Sequence, residues 1–145
     1  MQSIRQLLDT KGHQVWSVNA ETTVYDALRL MAAKEIGALL VMQNGHIAGI
    51  VSERDYARKI ILEGKSSLTT PVAEIMTREV LHTNPSQSVN DAMALMTDKR
   101  VRHLPVLENG RLLGIISIGD LVKTIIAEQE FVIGQLESYI AGALA

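Results

Sequence analysis

The sequence predicts an α+β fold made of two β-α-β-β-α repeats that are followed by a C-terminal helical extension. Three observations support this. When the chain of 145 residues is shifted by 65 positions, residues 15–55 match residues 80–120 at 16 of 41 positions without a gap. Each copy has an Asn-Gly pair between two short apolar runs, which is typical of a tight β-hairpin. Each copy also ends on the pattern G-x-x-S-x-x-D, as GIVSERD and GIISIGD. A repeat of this length indicates a duplicated structural unit.

Each repeat begins with a short helical lead-in segment and a strand. The first lead-in segment, residues 4–8, resembles residues 72–76 at an offset of 68, so three extra residues precede the first strand of repeat one. That strand is predicted near residues 15–18, and its counterpart near residues 80–83.

A helix and a hairpin follow in each repeat. Thr22 or Thr23 can cap the helix, and its apolar residues fall at the i, i+3, i+4, i+7 spacing of a core-facing stripe: Val24, Ala27, Leu28 and Met31. Two short apolar runs then surround the Asn-Gly turn. The last helix of each repeat is predicted to start near Ser52 and near Ser117.

The last helix of the second repeat continues past the length of its counterpart. Its apolar positions form an interrupted stripe: Leu121, Ile125, Val132, Leu136 and Ile140. Such a stripe packs either on its own domain or against a second copy, and we predict a homodimer through the repeats and this helix. Gly134 is expected to kink or weaken the helix. The predicted boundaries are repeat 1 at 1–63, a linker at 64–71, repeat 2 at 72–127 and the extension at 128–145.

Composition excludes several classes of protein. With 47% hydrophobic residues the chain can bury a core, and without cysteine it has no disulfide, thiolate nucleophile or cysteine-based metal site. A net charge of −2 provides no basic field for nucleic acid. No segment is predicted to cross a membrane or to act as a secretion signal, so the sequence suggests a cytoplasmic protein.

The segments GIVSERDYARKI and RVRHLPVLENGRLLGIISIGDLV, together with the repeat, resemble the CBS domain, a cystathionine-β-synthase-type regulatory module, present here as a tandem pair. The chain looks like the small stand-alone bacterial CBS-pair proteins. The resemblance implies that the repeats pack about a pseudo-twofold axis, and that two pairs join into a disc. It also implies clefts between the repeats that bind AMP, ADP, ATP, NAD(H) or S-adenosylmethionine.

The four candidate ribose-binding residues are Ser52, Asp55, Ser117 and Asp120. Taken alone, a serine followed three residues later by an acid forms the cap of a helix. In the family, the aspartate at this position holds the ribose and the hydroxyl residue supports it. A carboxylate has two oxygens that can accept hydrogen bonds from both hydroxyls of a cis-diol. The preceding glycine can let a ligand or another backbone come close.

The candidate phosphate-binding residues are Arg54, Arg102 and His103. Arg54 has Gly119 as its counterpart, so the two sites are expected to handle phosphate differently. Arg102 and His103 occupy the position from which family members reach phosphate, although runs of charge also occur on solvated edges.

Six further residues are candidates for the cleft and the adenine contact. The family uses the segments before and within each first strand for adenine, and repeat one has its own counterparts of Arg102 and His103. The six residues are Lys11, Val18, Gly37, Ala38, Thr77 and Thr83.

No catalytic residue, metal site or catalytic cofactor is predicted. The four histidines are scattered, and no phosphate-binding glycine-lysine loop occurs. The sequence therefore suggests a sensor, not an enzyme, in which an adenosine ligand alters a surface read by an unknown protein target. The alternatives are a structural dimerisation module without a functional ligand and, more weakly, a nucleic-acid-binding protein.

Overall fold

The computed structural model describes residues 2–144. The chain divides into two compact units, which are Val15–Val80 and the combination of Met1–Gln14 with Leu81–Ala145. We call these the first unit and the second unit. The helices are α1 (Ile4–Lys11), α2 (Val24–Lys34), α3 (Glu53–Tyr56), α4 (Val89–Lys99) and α5 (Ile118–Leu144). The strands are β1 (Ser17–Asn19), β2 (Ala38–Gln43), β3 (His46–Ser52), β4 (His103–Glu108) and β5 (Arg111–Ser117). A π-helical turn, Ala57–Ile61, follows α3, and a 3-10 turn spans Val72–Glu74.

The first unit is a three-stranded sheet with helices packed on it. The strand order is β1-β2-β3, in which β1 runs parallel and β3 antiparallel to β2. Thr23 caps α2 by accepting a hydrogen bond from the backbone of Asp26. The predicted apolar stripe of α2 is confirmed, because Val24, Ala27 and Met31 are all buried in the core.

The second unit has two named strands, β4 and β5, which are antiparallel. The predicted strand at residues 80–83 is wrong in extent, since only Thr83 forms a bridge, in parallel with Val106. Pro105 gives the physical reason. Proline has no backbone N–H to donate to a ladder, whereas the equivalent Leu40 pairs with Ser17 in the first unit.

The hairpin turns follow the sequence prediction. Asn44 and Gly45 have φ angles of 53° and 78°, and Asn109 and Gly110 have φ angles of 51° and 76°. Two consecutive residues with positive φ form the turn that matches the twist of a two-residue hairpin.

Each lead-in segment packs in the unit of the other repeat. In the second unit, a Cβ atom added to Gly114 would lie 2.9 Å from Leu8 Cδ2. In the first unit, a Cβ atom added to Gly49 would lie 2.6 Å from Met76 Sδ and 2.8 Å from the carbonyl oxygen of Thr77. The two equivalent glycines therefore make room for the protein's own chain. The repeats of the sequence and the compact units of the fold consequently divide the chain at different places.

Helix α5 is helical without interruption through Gly134. Near its start, Leu121 is fully buried, and Ile118 and Ile125 pack against the core of the second unit. Residues 129–143 are all exposed. The helix thus begins on its own unit and continues beyond the support of that unit.

Candidate functional site

The two Ser-x-x-Asp motifs have the same geometry. In the first unit, the Ser52 N–H donates to Asp55 Oδ2 at 3.0 Å, and the Asp55 N–H donates to Ser52 Oγ at 3.2 Å. In the second unit, the Ser117 N–H donates to Asp120 Oδ2 at 2.8 Å, and the Asp120 N–H donates to Ser117 Oγ at 3.2 Å. The capping arrangement predicted from the sequence is therefore present in both units, and it fixes the direction of each carboxylate.

A third serine–aspartate capping box occurs away from these motifs. At the start of α4, the Ser88 N–H donates to Asp91 Oδ2 at 3.3 Å and the Asp91 N–H donates to Ser88 Oγ at 3.0 Å. Its carboxylate belongs to an exposed residue. Capping geometry alone consequently does not mark a ligand site, and Asp91 is a matched control for Asp55 and Asp120.

A lysine side chain forms an ion pair with the carboxylate of each motif. Lys11 Nζ is 2.7 Å from Asp120 Oδ2 and donates to the carbonyl oxygen of Ile115 at 2.6 Å. Lys59 Nζ is 3.3 Å from Asp55 Oδ1. The aspartate side chains are 22% and 15% exposed, respectively. Both carboxylates are thus partly desolvated, charge-balanced and still open to solvent.

The sequence indicated Lys11 but missed Lys59. Lys59 follows Asp55 by four residues, a spacing that places two side chains on the same side of a helix, so the spacing was a usable signal. Lys59 also donates to the carbonyl oxygen of Ile75 at 2.9 Å. The ammonium groups therefore have the same kind of environment, one carboxylate and one backbone carbonyl, in both units.

The hairpin register places His103 beside the second motif. His103 pairs with Ser117 across β4 and β5, and the Arg102 carbonyl oxygen accepts a hydrogen bond from Ile118 at 2.9 Å. The side chain of Arg102 belongs to an exposed residue. The two predicted phosphate-binding residues of repeat two thus lie where the Ser117 motif begins.

The equivalent residues of the first unit are Gly37 and Ala38. Ala38 pairs with Ser52, and the Gly37 carbonyl oxygen accepts a hydrogen bond from Glu53 at 3.1 Å. Gly37 and Glu53 also line a cavity of about 410 Å³ at the end of α2, and Asp55 is not one of its lining residues. The first unit therefore has no cationic or imidazole side chain at the position of Arg102 and His103.

The remaining predicted residues have diverse positions. Thr77 exchanges backbone hydrogen bonds of 2.9 and 3.0 Å with Ile50, which is the repeat equivalent of Ile115. Lys11 and Thr77 therefore meet equivalent residues of β5 and β3. Val18 lies in β1 and Thr83 at the equivalent bridge, in half-buried and buried positions. Arg54 is exposed.

Charge and burial shift two pKa values in the second unit. Burial lowers the pKa of His103 below its ordinary 6.5, and the positive charges of Lys11 and Arg102 lower it further, against the opposing effect of Asp120. Burial raises the pKa of Asp120, but hydrogen bonds from Lys11 and Ser117 outweigh that effect and hold the pKa below its ordinary 3.8. At neutral pH the pair is an ionised carboxylate and a neutral imidazole.

We expect acidification below about pH 6.5 to destabilise the protein through His103. Because the pKa of His103 is lowered on folding, the unfolded chain takes up the proton first, and stability decreases as pH falls from 6.5 towards the folded-state pKa. One such proton contributes at most about 1.4 kcal/mol per pH unit. Denaturant titrations between pH 5 and 7.5 should show a shallower pH dependence for His103→Gln than for the wild type. An unchanged slope in His103→Gln would contradict the prediction.

Comparison with known proteins agrees with the repeat and the fold. The family model for the CBS domain matches residues 6–62 and 72–127, so the chain belongs to the CBS-domain family as a tandem pair. A protein with CBS domains from Burkholderia ambifaria, named for signal transduction, has a solved structure with a TM-score of 0.86 and 53% identity. That match covers 88% of this chain and 96% of the other. The predicted family and fold class are confirmed.

Two further proteins are similar to this chain. The mitochondrial CBS domain-containing protein CBSX3 of Arabidopsis thaliana is 42% identical over 136 residues; the match covers 90% of this chain and 66% of the relative, so the chain spans about two thirds of that protein. The CBS domain pair of protein MJ0100 was solved in complex with 5′-methylthioadenosine and S-adenosyl-L-methionine. It is 18% identical, with a TM-score of 0.76, and the match covers 88% of this chain and 98% of that one. Within residues 2–144, no helix has the length and hydropathy to cross a bilayer.

Proposed function

We propose that this protein is a regulatory sensor that binds an adenosine-containing ligand through one aspartate in each unit. The observation that carries the proposal is the duplicated carboxylate, held in the same direction by Ser52 and by Ser117 and left partly open to solvent. Membership of the CBS family and the adenosine ligands of the MJ0100 domain pair support the choice of ligand class. AMP, ADP, ATP and NAD(H) are the specific candidates. The regulated protein target and the cytoplasmic location stay predictions.

The chemistry of a ribose fits these carboxylates. In the second unit, the hydrogen bonds from Ser117 and Lys11 both reach Oδ2 of Asp120. Among residues 2–144, no donor makes a hydrogen bond to Oδ1, which can therefore accept one from a hydroxyl of the cis-diol. In the first unit, Oδ2 of Asp55 receives the hydrogen bonds from Ser52, and Oδ1 faces Lys59 at 3.3 Å. A carboxylate binds a diol better than a neutral acceptor, because hydrogen bonds to charged groups are the stronger ones.

The phosphate side of the ligand is where we expect the two sites to differ. In the second unit, His103 and Lys11 lie next to the carboxylate, and Arg102 begins the same hairpin. When a ribose hydroxyl also hydrogen-bonds to the Asp120 carboxylate, the Lys11 ammonium can turn from this carboxylate towards a phosphate of the ligand. In the first unit, Arg54 is the predicted phosphate contact. Each site thus has one lysine and one arginine near the nucleoside, and the second also has the neutral imidazole of His103 where the first has Ala38.

A ligand panel tests the proposal. Thermal denaturation with AMP, ATP, NAD and S-adenosylmethionine should reveal at least one stabilising ligand, by about 2.7 kcal/mol when its concentration is about 100 times its dissociation constant. 2′-Deoxy-AMP is the matched control, since it lacks one hydroxyl of the cis-diol and should stabilise the protein less than AMP does. If no adenosine compound raises the melting temperature at millimolar concentration, the protein is better described as a dimerisation module without a functional ligand.

A further inference from the structure

Helix α5 carries a largely apolar stripe that faces away from its own unit. The stripe consists of positions 122, 126, 129, 133, 136, 140 and 143, which are separated alternately by four and three residues. Five of the seven hold large apolar side chains with exposures of 42 to 56%: Val122, Ile126, Ile133, Leu136 and Ile140. The other two positions hold Gln129 and Ala143. We call these seven positions the outer stripe. Their spacing is the heptad repeat of paired helices.

The helix needs a partner along this stripe. Residues 129–143 are all exposed, and the match to the CBS domain ends at residue 127. The helical extension is therefore an addition to the family module and gains no packing from its own unit. An isolated helix of about 15 residues is only marginally stable in water. The apolar face must be covered for the extension to remain helical.

We propose that the outer stripe pairs with the same stripe of a second copy, as a parallel pair of helices. One set of heptad positions holds Ile126, Ile133 and Ile140. The alternate set includes Leu136, with Val122, Gln129 and Ala143 at its other places. Isoleucine at each of the three places of the first set, with Leu136 in the second, favours two-stranded parallel pairing.

The charges beside the stripe determine the orientation. Within residues 129–143, one edge holds Glu130 and Glu137 and the other holds Val132 and Tyr139; Lys123 precedes Glu130 on the first edge. In a parallel pair, each acidic edge lies against the apolar edge of the other copy, where the glutamate methylene groups can cover Val132 and Tyr139. In an antiparallel pair centred on residue 133, Glu130 of each copy would lie beside Glu137 of the other, and these like charges would repel each other.

The same charges disfavour an anionic membrane surface as the partner. The sequence contains no lysine or arginine after Lys123, whereas helices that lie on membranes carry basic residues beside the apolar face. A second copy satisfies both the pattern and the charge. This pairing goes beyond the sensor function and does not depend on it, because it needs no bound nucleotide.

Cysteine cross-linking tests the pairing and its direction. The chain contains no cysteine, so Ile140→Cys introduces a single thiol on the outer stripe, and Ser138→Cys introduces one on the opposite side of the helix. In a parallel pair the two thiols of Ile140→Cys share one layer, within reach of a disulfide. In an antiparallel pair centred on residue 133 they would lie about 21 Å apart along the axis.

Under mild oxidation, we expect most of the Ile140→Cys protein to become covalent dimers, but at most about a tenth of the Ser138→Cys protein. Only the thiols at position 140 come within reach of a disulfide across the pair. Equal cross-linking of the two variants, or none in Ile140→Cys, would overturn the proposal.

Sedimentation of the full chain is the second measurement. Replacing both Ile133 and Leu136 by aspartate should raise the dimer dissociation constant by about 100-fold or more, because four charges enter an apolar contact. Phe131→Asp, on the opposite side of the helix and 65% exposed in the wild type, should leave the constant within about threefold, as expected away from an interface. A wild-type chain that sediments as a monomer at every concentration, whatever else it binds, would show that the outer stripe does not pair two copies. A double variant that dimerises as tightly as the wild type would lead to the same conclusion.

Discussion

Asp55→Asn and Asp120→Asn are each expected to weaken binding of one equivalent of adenosine ligand by about 10- to 100-fold, while the protein stays folded. The substitution keeps the shape of the side chain but removes the charge that accepts hydrogen bonds from the ribose, and hydrogen bonds to a charged group contribute about 1.5–3 kcal/mol. Titration calorimetry of each variant, with the ligand that stabilises the wild type most, should report one strong site instead of two. The double variant should have none.

Asp91→Asn separates the ligand role from the helix cap. All three aspartates complete the same kind of capping box, so each substitution should lose a similar capping contribution, about 0.5–1 kcal/mol. Asp55→Asn and Asp120→Asn also lose the ion pair with a lysine and should cost more stability than Asp91→Asn. Only Asp55 and Asp120 should also lose ligand. If Asp91→Asn lowers the stoichiometry as much as they do, or if neither Asp55→Asn nor Asp120→Asn lowers it, then these aspartates act as caps alone.

Leu8→Ala is expected to decrease the free energy of unfolding by about 2–5 kcal/mol, the usual cost of emptying a fully buried leucine site. Leu8 is 0% exposed and fills the space that Gly114 leaves beside β5. The substitution also loosens the helix that ends at Lys11. We therefore expect the ligand site at Asp120 to weaken more than the site at Asp55. Urea denaturation measures the first effect, and calorimetry the second.

Thr10→Ala is the matched control for Leu8→Ala. Thr10 lies on the same helix, is exposed, and donates only to the carbonyl oxygen of Gln6 in its own helix. Its replacement should change stability by no more than about 0.5 kcal/mol. A loss below about 1 kcal/mol in Leu8→Ala would mean that α1 contributes little to the second unit, since buried leucines cost more than that.

Several parts of the structure could be predicted from local patterns. The Asn-Gly turns require two residues with positive φ, and the sequence supplies them twice. The stripe containing Val24 and Met31 follows the helical period, and the serine-aspartate boxes lie within four residues of chain. Where the local pattern was misleading, as in the predicted strand at residues 80–83, the cause was a residue on the neighbouring strand. Pro105 removes a donor that the pattern of the first strand does not reveal.

The sequence by itself determined the duplication, the hairpins, the caps and the apolar faces, because each depends on residues that are close together in the chain. Only the tertiary structure decided that each lead-in segment packs in the unit of the other repeat. As a result, Lys11 forms a hydrogen bond with Asp120, which lies 109 positions later in the sequence. The same is true of the burial that makes His103 a weak base beside that pair. Spacing along a chain reports periodicity, whereas charge pairing and desolvation depend on which distant side chains come into contact. The two aspartates are thus equivalent in sequence, but they have different neighbours in the fold.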